Sequence, residues 1–251
     1  MNTPTTAWPA LRVATWNIHK GVQGHGPAKR LEIHNIGHGI EQFDADLICL
    51  QEVRLHHRRL ERTLARWPLQ GQADYLAPEG YEAVYRSNAV TRHGEHGNAL
   101  LSRWPVLACQ HVDMSDHRFE QRGLLHVTVQ VAGRPLQVLV VHLGLVPASR
   151  ERQITQLLAY IAREIGPEAP LVLAGDFNDW GSRIPRRLVR AGLVSASAER
   201  LPTYPARLPL AQLDHVFVRG LHPRHAQVPH GRIWRRMSDH LPLLADLAPA
   251  G

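Results

Sequence analysis

Only two cysteines occur in the 251 residues, Cys49 in DLICL and Cys109 in VLACQ, both apolar strand-like settings. That argues against a disulfide scaffold and a thiolate zinc site and leaves two buried free thiols as the expectation. Neither HExxH nor CxxC is present, so the 17 scattered histidines carry no zinc signature. No apolar run approaches the ~20 residues that span a bilayer as a helix. The N-terminal MNTPTTAWPALR has no basic or apolar leader region, and the cytoplasm is the expected compartment. Lysine is nearly missing, with only Lys20 and Lys29. The excess of 29 Lys plus Arg over 22 Asp plus Glu therefore rests on arginine, and the formal charge is +7. Such a balance favours an anionic partner: nucleic acid, a phosphorylated small molecule or an acidic lipid surface.

What is present fits one domain over residues 1–251, with a core from about 10 to 248. At 44% hydrophobic and 20% charged, the composition is that of a globular chain. A chain of this length buries roughly three quarters of its unfolded surface. There is no internal repeat, and a monomer without a stable protein partner is expected. Short apolar runs read as strands: LRVATW, DLICL, ALLS, VLVVHL, LVLAG and LDHVFV. Helices are expected over about 31–43 and over 150–165, the second with Ser149 as N-cap and Gly166-Pro167 as its stop. Hairpins interleaved with helices predict an α/β fold. Its form is a four-layer αββα sandwich, two mixed, mostly antiparallel sheets face to face with helices outside.

The densest polar signal is LVLAGDFNDW, residues 171–180. If the chain stays extended, Asp176 and Asn178 point one way and Phe177 turns into the core. A carboxylate beside a carboxamide suits a hard cation, a water to be deprotonated or a phosphoryl oxygen. A polar turn closing a buried strand explains the same residues.

The pattern recurs where apolar strands stop. Asn17, Glu52, His142, Asp176, Asn178, Asp214 (placed mid-strand) and Asp239-His240 are seven such sites in six separate segments. Oxygen donors dominate and no thiolate is among them, so Mg²⁺, with Mn²⁺ as the alternative, is the matching ion. Two histidines remain for proton transfer, which together makes a site for metal-assisted hydrolysis of a phosphate ester. Arg54, beside Glu52, is placed to reach the same cleft.

The segments NIHKG, CLQEVR, GNALLSRWP, VVHLGL, LAGDFNDW, LDHVFV and MSDHLPL, in this order, resemble the endonuclease/exonuclease/phosphatase superfamily across nearly the whole chain. Short bacterial members carry the same NIHKG, HLGL and GDFNDW variants. The resemblance implies a DNase I-like fold and a set of roles. Glu52 would be the main metal ligand with Asn17 beside it, and Asp239 would complete the shell directly or through water. Asp176 would orient or deprotonate the attacking water, and Asn178 would hold a phosphate oxygen. His240, oriented by Asp214, would contact the scissile phosphate. His142 would donate a proton to the leaving group or stabilise the transition state. Asn98, Arg122 and Arg150 would join Arg54 as substrate contacts. The carboxylate that orients His142 is open between Glu95 and Glu82. Tyrosine replaces His142 in exonuclease III-like abasic-site enzymes, and secreted DNase I-like enzymes use disulfides, so neither subgroup is favoured. The expected activity is a phosphodiesterase of nuclease type. A phospholipid or other small phosphoester is the alternative substrate, and a binding module without catalysis is the alternative of another class. All acidic positions are filled, which speaks against that last reading.

Overall fold

The computed structural model describes residues 8–24 and 26–249. Residues 1–7, part of the stretch read for a leader, lie outside them. Along the chain run β1 (Leu11–Asn17), β2 (Val22–Gln23), β3 (Arg30–Leu31), α1 (Ile33–Glu41), β4 (Leu47–Val53), α2 (Arg58–Thr63), α3 (Gln72–Leu76), β5 (Glu82–Thr91) and β6 (Gly94–Ser102). Then follow β7 (Val106–Asp113), β8 (Gly123–Val131), β9 (Arg134–His142), α4 (Pro147–Glu164), β10 (Leu171–Asp176), α5 (Arg183–Arg190), β11 (Val194–Ser195), β12 (Asp214–Arg219), β13 (Leu221–Gln227), α6 (Trp234–Met237) and β14 (Leu243–Pro249). Among the described residues no helix is long and apolar enough to cross a membrane.

Two six-stranded sheets, ordered β13-β14-β1-β4-β6-β5 and β11-β12-β10-β9-β8-β7, face each other, and β2 and β3 form a small ribbon. This is the expected sandwich of mixed sheets. Each sheet is centred on one parallel pair. The pair β1/β4 is linked through α1, and β9/β10 through α4. Crossovers of this kind lay a helix on the outer face, so the central strands are buried on both sides and read as unbroken apolar runs. In β9, Val138 and Val140 enter the core between the sheets with Val127 and Val172. Leu139 and Val141 belong instead to the layer with Ile154, Leu157 and Ile161 of α4.

Strand register then fixes the site. Asn17 aligns with Gln51 across β1/β4, Asp176 with His142 across β9/β10, and Asp176 with Asp214 across β10/β12. Polar side chains from both sheets therefore meet at one end of the sandwich. Gly175 makes the last step of β10 possible, because a Cβ there would meet Val141 O at 1.9 Å.

Three local expectations change. Asp214 opens β12 rather than lying within it; its N–H and that of Leu213 donate to Thr203 Oγ1, both at 3.3 Å, which ends the preceding loop there. Helix α4 starts at Pro147 after Val146, not behind a Ser149 cap; proline's fixed φ suits the first helical position. Ser149 lies within the first turn and donates to Asp116 Oδ2 at 2.6 Å. The chain also does not stay extended past Asp176, since Asn178 is left-handed at φ 49°.

Trp16, Phe43 and Trp234 form an aromatic knot, with ring centroids 5.6–5.9 Å apart. Trp16 precedes Asn17, and Trp234 lies four residues before Ser238, so the knot ties the core to two site-bearing segments. Trp16 Nε1 also donates to His240 O at 2.9 Å. Phe43 is 1% exposed. Phe43→Ala is expected to cost about 3–5 kcal/mol of unfolding free energy. Denaturant titration of both proteins checks this; a loss below about 1 kcal/mol would show that the knot carries no such weight.

Candidate active site

Asp176 lies at the centre of the site and is 1% exposed. Asn17 Nδ2 donates to its Oδ2 at 3.0 Å, and the Asn178 N–H donates to its Oδ1 at 2.9 Å. His142 Nε2 is 3.5 Å and His240 Nε2 is 3.6 Å from the same Oδ2. One carboxylate thus faces two imidazoles from different elements. The carboxylate beside His142 is Asp176. Glu95 Oε1 is 4.0 Å from His56 Nδ1, and Glu82 accepts from the Val106 N–H.

His240 is held on its far side by Asp214, with Nδ1 to Oδ2 at 2.8 Å. Burial opposes the imidazolium, but Asp214 and Asp176 outweigh it and lift the His240 pKa to about 10. Burial raises the Asp176 pKa, and Asp214 adds to that against the pull of His240. For His142, burial and then Arg122 push the pKa well below the ordinary histidine value. One histidine is therefore a cation and the other neutral at physiological pH. Asp176, Asp214 and His240 make a tight buried cluster, with one donor atom from each lying within 4.8 Å of the others. Both carboxylates face the His240 imidazole, one at each ring nitrogen, an arrangement that suits a proton relay.

The acidic rim is a second group. At the end of β4 the pairing with β6 shifts between Leu50 and Val53, and Glu52 takes a left-handed φ of 57°. This bulge turns Glu52 toward Lys20, whose ammonium pairs with Oε2. Burial alone would raise the Glu52 pKa; Lys20 and His142 hold it well below the usual carboxylate range. His19 Nδ1 is 3.1 Å from Asp239 Oδ2 and 3.9 Å from Glu52 Oε2, so it bridges the two carboxylates. Asn17 connects the groups, because its Oδ1 accepts the His19 N–H at 3.0 Å while its amide holds Asp176. Four of the seven left-handed non-glycine residues among those described are His19, Lys20, Glu52 and Asn178. Backbone strain concentrated in this way marks functional sites.

The remaining expected residues divide. Asn178 is 5% exposed and donates through Nδ2 to Leu143 O at 2.9 Å, which locks it against the end of β9. Arg54 lies close enough for Glu52 to act on its charge, and its Nε and Nη1 are buried without a partner among the described residues. Arg122 pairs with Glu120 at 3.1 Å and donates to Leu143 O at 3.1 Å, beside His142. Asn98 and Arg150, the other two expected substrate contacts, lie deeper. Asn98 is fully buried, and its amide donates to Gly123 O at 2.9 Å and Val140 O at 3.1 Å, bridging the sheets. Arg150 is 6% exposed and donates to Gly144 O at 3.0 Å and Leu145 O at 2.6 Å, closing the β9–α4 loop. In both, side-chain N–H groups satisfy backbone carbonyls that burial would otherwise strand, while Asn98 Oδ1 is buried without a partner among the described residues.

Sequence reading also passed over four residues. His19 and Lys20 were within NIHKG, where only Asn17 drew attention. His96 is half-buried near Lys20 and Glu52, with its pKa lowered to about 4, first by burial and then by Lys20. The ring of Tyr204 covers His240 with centroids 4.8 Å apart; it lies in a loop without periodicity and gave no signal.

Residues 14–240 match the model of the endonuclease/exonuclease/phosphatase family. Uncharacterised protein YbhP of Escherichia coli is 33% identical over 246 residues, 95% of this chain and 96% of its own. Among solved structures, an endonuclease/exonuclease/phosphatase from Beutenbergia cavernae superposes with a TM-score of 0.74 at 23% identity, covering 96% of this chain and 72% of that one. The human nocturnin catalytic domain with bound sulfate superposes with a TM-score of 0.73 at 22% identity, covering 97% and 96%.

Proposed function

The chain belongs to the endonuclease/exonuclease/phosphatase family and is a phosphoester hydrolase, and on that premise we propose that it is a Mg²⁺-dependent phosphodiesterase of nuclease type. The observation that carries this reading is Asp176 Oδ2, approached by Asn17, His142 and His240 on a buried floor beside the Glu52–Asp239 rim.

The rim suits a hard divalent cation. Its donors are carboxylate oxygens on Glu52 and Asp239, and in this structure the Lys20 ammonium and the His19 imidazole lie against them. Glu52 and Asp239 would hold the ion, with the Asn17 carboxamide next to them. When bound, Mg²⁺ would neutralise charge growing on the phosphoryl oxygens; Mn²⁺ would serve as well. The chain's own groups do the rest. Ionised Asp176 accepts the proton of the attacking water and orients it. The His240 imidazolium, fixed by Asp214, donates to a phosphoryl oxygen. Neutral His142 stabilises the leaving side by hydrogen bonding; its lowered pKa does not suit a cationic acid. Asn178 holds a phosphoryl oxygen or keeps the β9 end in place, and Arg54 and Arg122 add positive charge. A phospholipid-like phosphodiester presents the same reacting group and is the alternative substrate.

EDTA is expected to stop hydrolysis, and either Mg²⁺ or Mn²⁺ to restore it. Metal-titrated assays of one phosphodiester check this. Restoration by Zn²⁺ alone, or full activity in EDTA, contradicts it.

A further inference from the structure

Some arginines pair with acids: Arg12 with Asp246, Arg103 with Asp44 and Asp46, Arg152 with Asp116, Arg187 with Glu151. Among the others, one group converges on a single concavity. Arg30, Arg207, Arg232, Arg235 and Arg236 line a single cavity of about 510 Å³. Among the described residues only Arg30 has an acidic partner, Glu32 at 3.5 Å. All five are exposed. Like charge collected in a concavity without counter-ions is costly unless an anion enters it.

Two of the segments that line the cavity run beside the catalytic rim. The Ala206 N–H donates to Asp239 O at 2.7 Å and the Leu241 N–H to Thr203 O at 2.8 Å, so the loop ending in Arg207 runs alongside residues 239–241. Arg235 and Arg236 precede Ser238 in α6 and the turn after it. Aromatic rings from this loop and from the loop after β10 lead outward from the site. Tyr204 covers His240, and Trp180, 60% exposed, meets Tyr204 edge-on at 5.7 Å. Neither the cavity nor the Trp180 ring is given a part in the chemistry at Asp176.

We propose that the five-arginine cavity binds the non-scissile phosphates of a single-stranded polynucleotide whose neighbouring bases stack on Trp180 and Tyr204. This rests on the reading of the rim as a phosphodiester site and adds a second site beside it. Guanidinium forks match phosphate geometry. A basic groove joined to exposed aromatic faces is how strands are held without sequence preference. Duplexes keep their bases stacked internally and leave nothing for Trp180. A flat anionic membrane would make poor use of a concave set of arginines.

Fluorescence anisotropy with a labelled 12-nucleotide strand, in EDTA so that nothing is cleaved, tests this apart from catalysis. The triple variant R232Q/R235Q/R236Q is expected to bind at least tenfold more weakly. Its plot of log K against log salt should be shallower by roughly 2, from about 0.7 per lost single-strand phosphate contact. Arg207→Gln alone, on an exposed loop, should flatten the slope by about 0.7 and guards against misfolding of the triple variant. Trp180→Ala should weaken binding on the order of tenfold with the slope unchanged. Unchanged affinity and slope in the arginine variants overturn the proposal. So does tighter binding of a 12-base-pair duplex, or arginine-dependent binding of phosphatidylglycerol vesicles with none of the strand. If bis-aryl phosphate is not hydrolysed in Mg²⁺ but strand binding keeps its arginine dependence, the catalytic reading fails and the binding site stands.

Discussion

His240→Ala is expected to lower kcat by about 10²–10⁴-fold, the range that positioned proton-transfer and oxyanion-stabilising groups contribute. The residue is 4% exposed, its Nδ1 is bound by Asp214, and its Nε2 faces Asp176. Two carboxylates keep the imidazole protonated to about pH 10. A group that must carry its proton is active below its pKa. The wild-type rate should therefore fall as pH rises through about 10, and that alkaline limb should vanish in the variant. Folding is expected to survive, because Trp16 Nε1 binds the main-chain oxygen of residue 240 rather than its side chain. A variant within tenfold of wild type, or one that retains the limb, would rule out direct contact with the reacting phosphate.

Glu52→Gln is expected to act through the metal. The exchange keeps the shape of the side chain and removes its charge, leaving Lys20 without its anion. Changing groups that merely orient metal ligands costs 10–100-fold in affinity or activity, and the loss of a ligating carboxylate should exceed that. Mg²⁺ should raise the Tm of the wild-type protein, since an ion bound only by the folded state stabilises it. The variant should show little or no such rise. An equal Tm response together with an unchanged rate in saturating Mg²⁺ would assign Glu52 another task. His240 and Glu52 thus separate the two halves of the site: one loses catalysis and keeps metal, the other loses both.

Much of this was legible because of how buried parallel strands are made. VLVVH and LVLAGD are apolar on both faces, so the first polar residue after each run must lie at its end, and His142 and Asp176 do. Asp239-His240 follows from the same logic at the entry to β14. What escaped depends on backbone geometry rather than composition. The bulge that aims Glu52, the left-handed turn that brings the Asn178 N–H onto Asp176, and the three successive left-handed residues His19, Lys20 and Gly21 leave no periodic trace. Tyr204 is placed by hydrogen bonds of its loop to residues 211 and 239–241, a long-range arrangement. Asn98 and Arg150 stood in motif segments, yet a buried amide and guanidinium near strand ends serve the scaffold as readily as a substrate. The unpaired arginines of residues 232–236 were counted in the net charge, but only the fold brings Arg30 and Arg207 beside them.

The most direct test of the central claim is hydrolysis by the pure protein in Mg²⁺. Plasmid DNA, single-stranded RNA, phospholipid vesicles and a bis-aryl phosphate should be compared, with Glu52→Gln as the blank. A metal-assisted site built on Asp176, His240 and the Glu52–Asp239 rim predicts turnover of at least one phosphodiester, lost both in EDTA and in the variant. No turnover of any substrate, or equal turnover by Glu52→Gln, would contradict it.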